Sequence, residues 1–179
     1  MGIVKPVKPV KSFCGIIGKD GETISRVIKE LICLQGEIDQ ESELIPFNFT
    51  DYYAEEMGTG LIRQFVAFKE LMDPRKLAGI KLATNAIEDR FVVMAGGKTC
   101  RTVNLDPGYI TASNLVLATT KEFSHRICIG EGIYAEVTLN FRKGGCVFFD
   151  WTYPDFKSGK YTSFFIELRR RYLEANKAD

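Results

Sequence analysis

The sequence predicts one α+β domain built on a mostly antiparallel sheet. Short apolar runs typical of strands alternate with two stretches of helical periodicity, and Gly, Pro and Asp residues separate them. The chain has 179 residues, 45% hydrophobic and 26% charged, which is the size and composition of one compact domain. A domain this long can bury a core without disulfide bonds or a metal. We therefore expect residues 1–179 to form a single domain, entered by an extended arm at residues 1–11.

The first strand is predicted at residues 13–17, and a helix follows it. Asp20 lies between two glycines and can cap the helix, and Gly36 lies just past its last turn, where a left-handed residue is favoured. Apolar side chains recur between them at helical spacing, namely Ile24, Val27, Ile28, Leu31 and Ile32.

The next segment is predicted to run strand, strand, helix, strand. Extended segments are expected at 44–49 and 61–71, and Asp73-Pro74 then starts a helix, because Asp caps well and Pro fits the first turn. Gly96-Gly97 ends that unit, and a fourth strand is expected at 99–106. The resulting order is that of a ferredoxin-like βαββαβ arrangement, with both helices on one face of the sheet.

A β-hairpin is predicted after a short helical connector at 110–119. Its turn is Gly130-Glu131-Gly132, and a three-residue loop pairs Ile129 with Ile133 and places Arg126 opposite Glu136 as a cross-strand ion pair.

The C-terminal part is predicted to hold one more strand, at 146–149, and a helix. That helix turns five large side chains inward, namely Tyr161, Phe164, Phe165, Leu168 and Tyr172.

Charge and residue counts exclude several classes of protein. Lys and Arg exceed Asp and Glu by 24 to 23, so no overall field attracts nucleic acid. Five cysteines without a C-x-x-C pair indicate reduced thiols, and the single histidine excludes a His-rich metal site. No apolar run approaches the roughly 18–20 residues of a membrane span. We expect a cytoplasmic protein without a membrane or nucleic-acid partner, and the sequence indicates no particular metal, cofactor or oligomeric state.

Gly97-Lys98-Thr99 is the one string that suggests a phosphate loop. The full pattern needs a glycine five residues before Gly97, where this chain has Val92, and it needs a helix after the loop. We therefore expect an ordinary loop between a helix and a strand.

Three strings hold candidate site residues beside a structural alternative. Asp106-Pro107-Gly108-Tyr109 is typical of a turn, but the turn would also present Asp106 at a strand end beside Asn104. Trp151 to Asp155 indicates an aromatic packing turn with a buried Trp, and Asp155 can add a carboxylate to a site. His125 alternates with two isoleucines, which favours a packed histidine over a catalytic one.

Several strings together resemble a known bacterial family. They are Phe47-Asn48-Phe49-Thr50-Asp51-Tyr52-Tyr53 with Glu56-Met57-Gly58, Val103-Asn104-Leu105-Asp106-Pro107-Gly108-Tyr109, Ser124-His125-Arg126 with Gly132-Ile133-Tyr134-Ala135-Glu136, and Trp151-Thr152-Tyr153-Pro154-Asp155. The combination is similar to the domain-of-unknown-function family numbered 4416 and spans nearly the whole chain. Members are often labelled "GTP-binding protein", and the resemblance implies no established activity.

The first functional hypothesis is a small-ligand site, with an enzymatic role left open. The candidate catalytic residues are His125, Asp106 and Glu136, and the candidate ligand-binding residues are Asn104, Arg126, Tyr134 and Asp155. Mixed carboxylate, guanidinium and hydroxyl groups suit a small anionic ligand such as a phosphorylated metabolite or a nucleotide. The hypothesis expects Asp106 and the Arg126–Glu136 pair to border one cleft.

The alternative hypothesis is a noncatalytic interaction module. In it, Tyr52-Tyr53 and the segment 151–156 are exposed aromatic anchors for a protein partner. An enclosed polar cleft favours the first hypothesis, and a flat exposed aromatic patch favours the second.

Overall fold

The computed structural model describes residues 2–143 and 145–176. The strands are β1 (Val10–Gly18), β2 (Ile38–Glu41), β3 (Ile45–Pro46), β4 (Ile62–Met72), β5 (Val92–Ala95), β6 (Lys98–Arg101), β7 (Val103–Ile110), β8 (Asn114–Thr119), β9 (Ile127–Gly130), β10 (Ile133–Arg142) and β11 (Gly145–Phe148). The helices are α1 (Gly21–Gln35), α2 (Ala54–Met57), α3 (Leu77–Glu88), α4 (Pro154–Lys157) and α5 (Thr162–Ala175), with a 3₁₀ turn at Pro74–Lys76. None of these helices is long and apolar enough to cross a membrane.

The main sheet has the order β11-β10-β8-β7-β1-β4-β2, with β3 paired to β4 and β9 to β10, while β5 and β6 form a separate hairpin. Its strand pairs are antiparallel, which confirms the predicted α+β class and sheet type. Three of the segments predicted to form the βαββαβ unit lie side by side as β7-β1-β4, and the one predicted at 44–49 contains the short strand β3, which pairs with β4. The ferredoxin-like description of that unit stays a prediction.

Helices cover both faces of the sheet. α1 and α3 pack on one face, over a core that includes Cys14, Ile16, Val66 and Leu105. α4 and α5 pack on the other face, over Phe13, Phe65, Leu115 and Leu139. Because alternate residues of a strand point to opposite faces, the central strands are apolar on both sides.

Helix α1 begins and ends as predicted. The Asp20 carboxylate accepts a hydrogen bond from the Thr23 amide at 2.7 Å, and Gly36 adopts φ 90° at the C-terminal end. This bond from Thr23 holds the pKa of Asp20 below its ordinary value of 3.8.

We expect Asp20→Ala to lower the urea midpoint of unfolding at pH 7, and Asp20→Asn to preserve it, since Asn also caps helices. Because the pKa of Asp20 is depressed in the folded state, its contribution is present above pH 3.8 and is lost as the pH falls through the folded pKa. Circular dichroism of the three proteins between pH 7 and pH 2 tests this. An Ala variant as stable as the wild type at pH 7 would contradict it.

The region around the predicted fourth strand differs from the expectation. Residues 99–106 belong to two strands, β6 and β7, and Gly96-Gly97 forms the turn of the β5–β6 hairpin with φ values of 57° and 77°. Lys98 therefore follows a hairpin turn, not the end of a helix, and no helix follows it as in a phosphate loop. Strand β2 was also not predicted, because its half-exposed polar sequence has no apolar alternation.

Two predicted connections are strands in the structure. Asp106-Pro107-Gly108-Tyr109 lies inside β7 and pairs with β1, so the predicted turn is wrong. Residues 114–119 form β8 and not a helical connector. The real turn lies at Thr111–Asn114, where the Thr111 hydroxyl accepts a hydrogen bond from the Asn114 amide at 3.1 Å. Pairing with neighbouring strands outweighed the local turn signals.

The β9–β10 hairpin confirms most of the predicted register. Cys128 pairs with Tyr134, and Arg126 Nε donates to Glu136 Oε2 at 2.8 Å. Ile133 pairs with Gly130 and not with Ile129, because a register shift follows the turn. The last strand and the inward face of α5 are confirmed.

Two side-chain positions differ from the prediction. Trp151 is 40% exposed, with its indole N–H donating to the Val137 carbonyl at 3.0 Å. His125 is packed as predicted, with its side chain 11% exposed, but a turn from Phe123 to Arg126 precedes β9 and brings its ring to Glu136 instead of continuing the alternation of Ile127 and Ile129.

Candidate functional site

A gap opens in the main sheet where β7 and β8 separate. The two strands pair from Ile110↔Leu115 to Gly108↔Leu117, and the pairing stops there although both strands continue. The next residue of β7 is Pro107, which has no N–H to donate across the gap. Proline thus marks the point where the sheet opens.

Side chains of α3 replace the missing strand neighbour. Glu88 Oε1 accepts a hydrogen bond from the Leu105 amide at 2.8 Å, and Lys81 Nζ donates to the Leu105 carbonyl at 2.6 Å. Both side chains are almost fully buried. The backbone of Leu105 therefore stays hydrogen-bonded on the side where β8 does not pair with it.

The gap leads into a cavity of about 790 Å³. This volume lies in the range of roughly 300–1,000 Å³ that is typical of small-ligand sites. Six aromatic side chains line it, namely Phe47, Phe49, Tyr52, Tyr53, Tyr153 and Phe156. Polar and charged groups from β4, α3, β6, β7, α4 and the segment that follows β8 also line it.

One buried arginine joins two carboxylates in this cavity. Arg63 on β4 donates to Asp106 at 2.6 Å and to Asp155, and Asn104 Nδ2 donates to the other oxygen of Asp106 at 2.9 Å. Arg63 reaches Asp106 by passing over β1 at Gly15, where a Cβ atom would lie 2.9 Å from the guanidinium. Glycine at that position therefore permits the contact.

Aromatic rings surround the Arg63 guanidinium. Its Cζ lies 4.9 Å from the centroid of Phe65 and between 5.4 and 5.7 Å from those of Phe47, Phe156 and Tyr161. Burial opposes the charge, but the two carboxylates outweigh it and raise the pKa of Arg63 above its ordinary value. Burying charged groups in this way costs desolvation free energy, and such groups concentrate at functional sites.

A second group of charges lies on the α3 side of the gap. Arg101 donates to both carboxylate oxygens of Glu56 at 2.8 and 2.9 Å and to Glu88 at 2.6 Å. Burial raises the pKa of Glu88, although Lys81 and Arg101 oppose the shift. Each of these cations faces a carboxylate.

Two exposed side chains meet across the mouth of the cavity. Lys121 Nζ donates to the Tyr52 hydroxyl at 2.8 Å and lies 3.9 Å from the centroid of its ring. Both residues line the cavity, so the ammonium group stands at the entrance.

The structure brings together three of the seven candidate residues at the cavity and places the other four elsewhere. Asn104, Asp106 and Asp155 line the cavity. Among the described residues, those lining the cavity do not include His125, Arg126, Tyr134 or Glu136.

Three of those four form a cluster behind the cavity wall. Glu136 accepts hydrogen bonds from Arg126 at 2.8 Å and Thr138 at 3.1 Å, and His125 Nε2 lies 3.1 Å from it. The His125 ring stacks on Trp151 with centroids 5.0 Å apart. Asp106 and the Arg126–Glu136 pair therefore do not share the lining of one cleft, but Arg126 touches the cavity wall through Tyr153.

The two predicted aromatic strings are divided between wall, core and surface. Tyr53 and Tyr153 line the cavity, Phe156 is buried, and Trp151 is partly exposed beside His125. They do not form one flat exposed patch.

Sequence reasoning missed several charged residues of the site, and three of them carry a signal. Arg63 lies in a strand whose next five residues are all buried. Lys81 and Glu88 repeat the helical spacing of Leu77, so they belong to the buried face of α3. Arg101 shows no comparable signal, because its partners come from α2 and α3.

Within the described residues, no group of three or more His, Cys, Asp or Glu side chains is arranged to hold a metal ion.

Comparison with known proteins identifies a family. No curated protein and no solved structure matches the chain. The model of the family described as "Domain of unknown function (DUF4416)" matches residues 8–172. The chain, with its split sheet and charged cavity, therefore belongs to the DUF4416 family.

Proposed function

We propose that the protein binds a small anionic, ring-containing ligand of the mononucleotide class in the cavity between β7 and β8. The observation that carries the proposal is the opening of the sheet at Pro107, together with buried charged side chains that keep the opening hydrogen-bonded. A closed sheet with an apolar interior would be the simpler way to stabilise this fold.

Three kinds of group around the cavity suit the base and the phosphate of such a ligand. Tyr53 and Tyr153 offer aromatic faces on which a heterocyclic base can stack. Asp106 keeps a partly exposed carboxylate that can accept from N–H groups of a base. Lys121 at the mouth supplies a cation for a phosphate.

Isothermal titration of AMP, GMP, CMP and UMP tests the proposal. We expect at least one of them to bind the wild type, and Asp106→Asn to weaken that binding about 10-fold, the effect of losing a charged hydrogen-bond acceptor. Thr120→Trp should abolish binding, because residue 120 is exposed at the cavity wall and an indole there would fill the space. Asp150→Asn, an exposed carboxylate outside the cavity lining, is the matched control.

Two results would contradict the proposal. Failure of all four mononucleotides to bind the wild type would exclude the ligand class. Unchanged binding by the Thr120→Trp variant would exclude the cavity as the site.

A further inference from the structure

The hydroxyl of Tyr153 accepts a hydrogen bond from an arginine that does not itself line the cavity. Arg126 donates through Nε to Glu136 at 2.8 Å, through one terminal nitrogen to the Lys121 carbonyl at 2.9 Å, and through the other to Tyr153 Oη at 2.9 Å. Its side chain is 10% exposed. Arg126 therefore acts on the cavity through Tyr153 and the backbone of Lys121.

The bond from Arg126 fixes what the Tyr153 hydroxyl can do. The oxygen accepts from Arg126, so the hydroxyl proton must be donated to another group. Within the described part of the chain, Tyr153 Oη has no second hydrogen-bond partner, and its residue lines the cavity. Burial raises the pKa of Tyr153 and Glu136 adds to the rise, so the hydroxyl carries its proton at neutral pH.

We infer that Tyr153 donates its hydroxyl proton to an acceptor oxygen of the bound ligand, and that Arg126 is the positioning residue that orients it. This inference rests on the proposed function. It adds a specificity element to the proposed function, namely that the ligand presents a carbonyl or phosphoryl oxygen to Tyr153. Asp106 then binds hydrogen-bond donors of the ligand, and Tyr153 binds one hydrogen-bond acceptor.

The cluster behind Arg126 explains why the orientation is firm. Glu136 is buried and fixes the arginine, and it is itself in contact with Thr138 and His125. Because the guanidinium is planar and bonded on three sides, it can turn only by breaking these contacts. The hairpin residues predicted as part of the site thus support it from outside the cavity.

Titration of the four mononucleotides and their nucleosides against Tyr153→Phe tests the inference. The variant keeps the ring and removes only the hydroxyl, so we expect affinity to fall about 10-fold, and circular dichroism checks that the variant is folded. Tyr134→Phe, a tyrosine outside the cavity lining, should bind as the wild type does. A loss in all four mononucleotides but in no nucleoside assigns the acceptor to the phosphoryl group. A loss in GMP, CMP and UMP but not in AMP assigns it to a base carbonyl, which adenine lacks.

The Arg126→Lys variant tests whether Arg126 orients the Tyr153 hydroxyl. Lysine keeps the charge beside Glu136 but cannot also make the other two contacts, so affinity should fall as in Tyr153→Phe. The double variant should bind no more weakly than Arg126→Lys alone, since that variant already loses the orientation of the Tyr153 hydroxyl. Wild-type binding that survives unchanged in Tyr153→Phe would overturn the inference and leave the proposed function standing. Absence of nucleotide binding by the wild type would overturn both.

Discussion

Replacing Arg63 with methionine is expected to destabilise the protein by about 3–5 kcal/mol, the usual effect of removing one partner of a buried ion pair. Methionine fits among the aromatic rings that surround the guanidinium, so the loss of packing is small. Asp155, which is buried, and Asp106 would lose the cation that compensates them. Urea unfolding at pH 7 measures the change.

Two further variants isolate the electrostatic origin of this effect. Arg75→Met removes an arginine from an exposed ion pair with Asp73 and should change stability by less than about 1 kcal/mol. Adding Asp155→Asn to Arg63→Met should recover part of the loss, because it removes one of the two uncompensated charges. A loss in Arg63→Met no larger than that in Arg75→Met would show that the three charges do not form one buried unit.

Replacing Gly108 with alanine is expected to destabilise the protein by about 3 kcal/mol, at the upper end of the range for overpacked cores. A Cβ atom at this position would lie 2.4 Å from the Val116 carbonyl oxygen and 2.9 Å from the Phe13 ring. The carbonyl belongs to the backbone of β8, so β7 and β8 would have to move apart at a position where they now pair. Urea unfolding measures the loss.

Gly79→Ala is the matched control for that substitution. Gly79 lies in α3 with open space around its Cα, and alanine in a helix is favoured over glycine by roughly 0.5–1 kcal/mol. We therefore expect opposite signs for the two Gly→Ala variants. Equal effects would mean that backbone entropy, and not the contact with Val116, decides the result at Gly108.

The sequence by itself determined the elements whose signals are local. Helix α1 begins after Asp20 and ends before Gly36, as predicted, and the inward face of α5 follows from its helical spacing. The contact between Arg126 and Glu136 also followed from the sequence, since a strand's period of two leaves few registers for a hairpin.

Tertiary structure decided the elements whose backbone partners lie far along the chain. Asp106-Pro107-Gly108-Tyr109 has the composition of a turn, yet pairing with β1 holds it extended. Residues 114–119 lack strand alternation because both faces of β8 are covered, and their partners on β10 come about twenty residues later.

The candidate site shows the same division. Sequence reasoning identified Asn104, Asp106 and Asp155 as polar residues of interest, and all three line the cavity. It did not place Arg63 beside two of them, because that contact needs β4, β1 and β7 to be adjacent and a glycine at position 15 to leave room. A buried charge is stabilised by groups that folding brings together from distant segments, and their spacing along the chain therefore carries no trace of the contact.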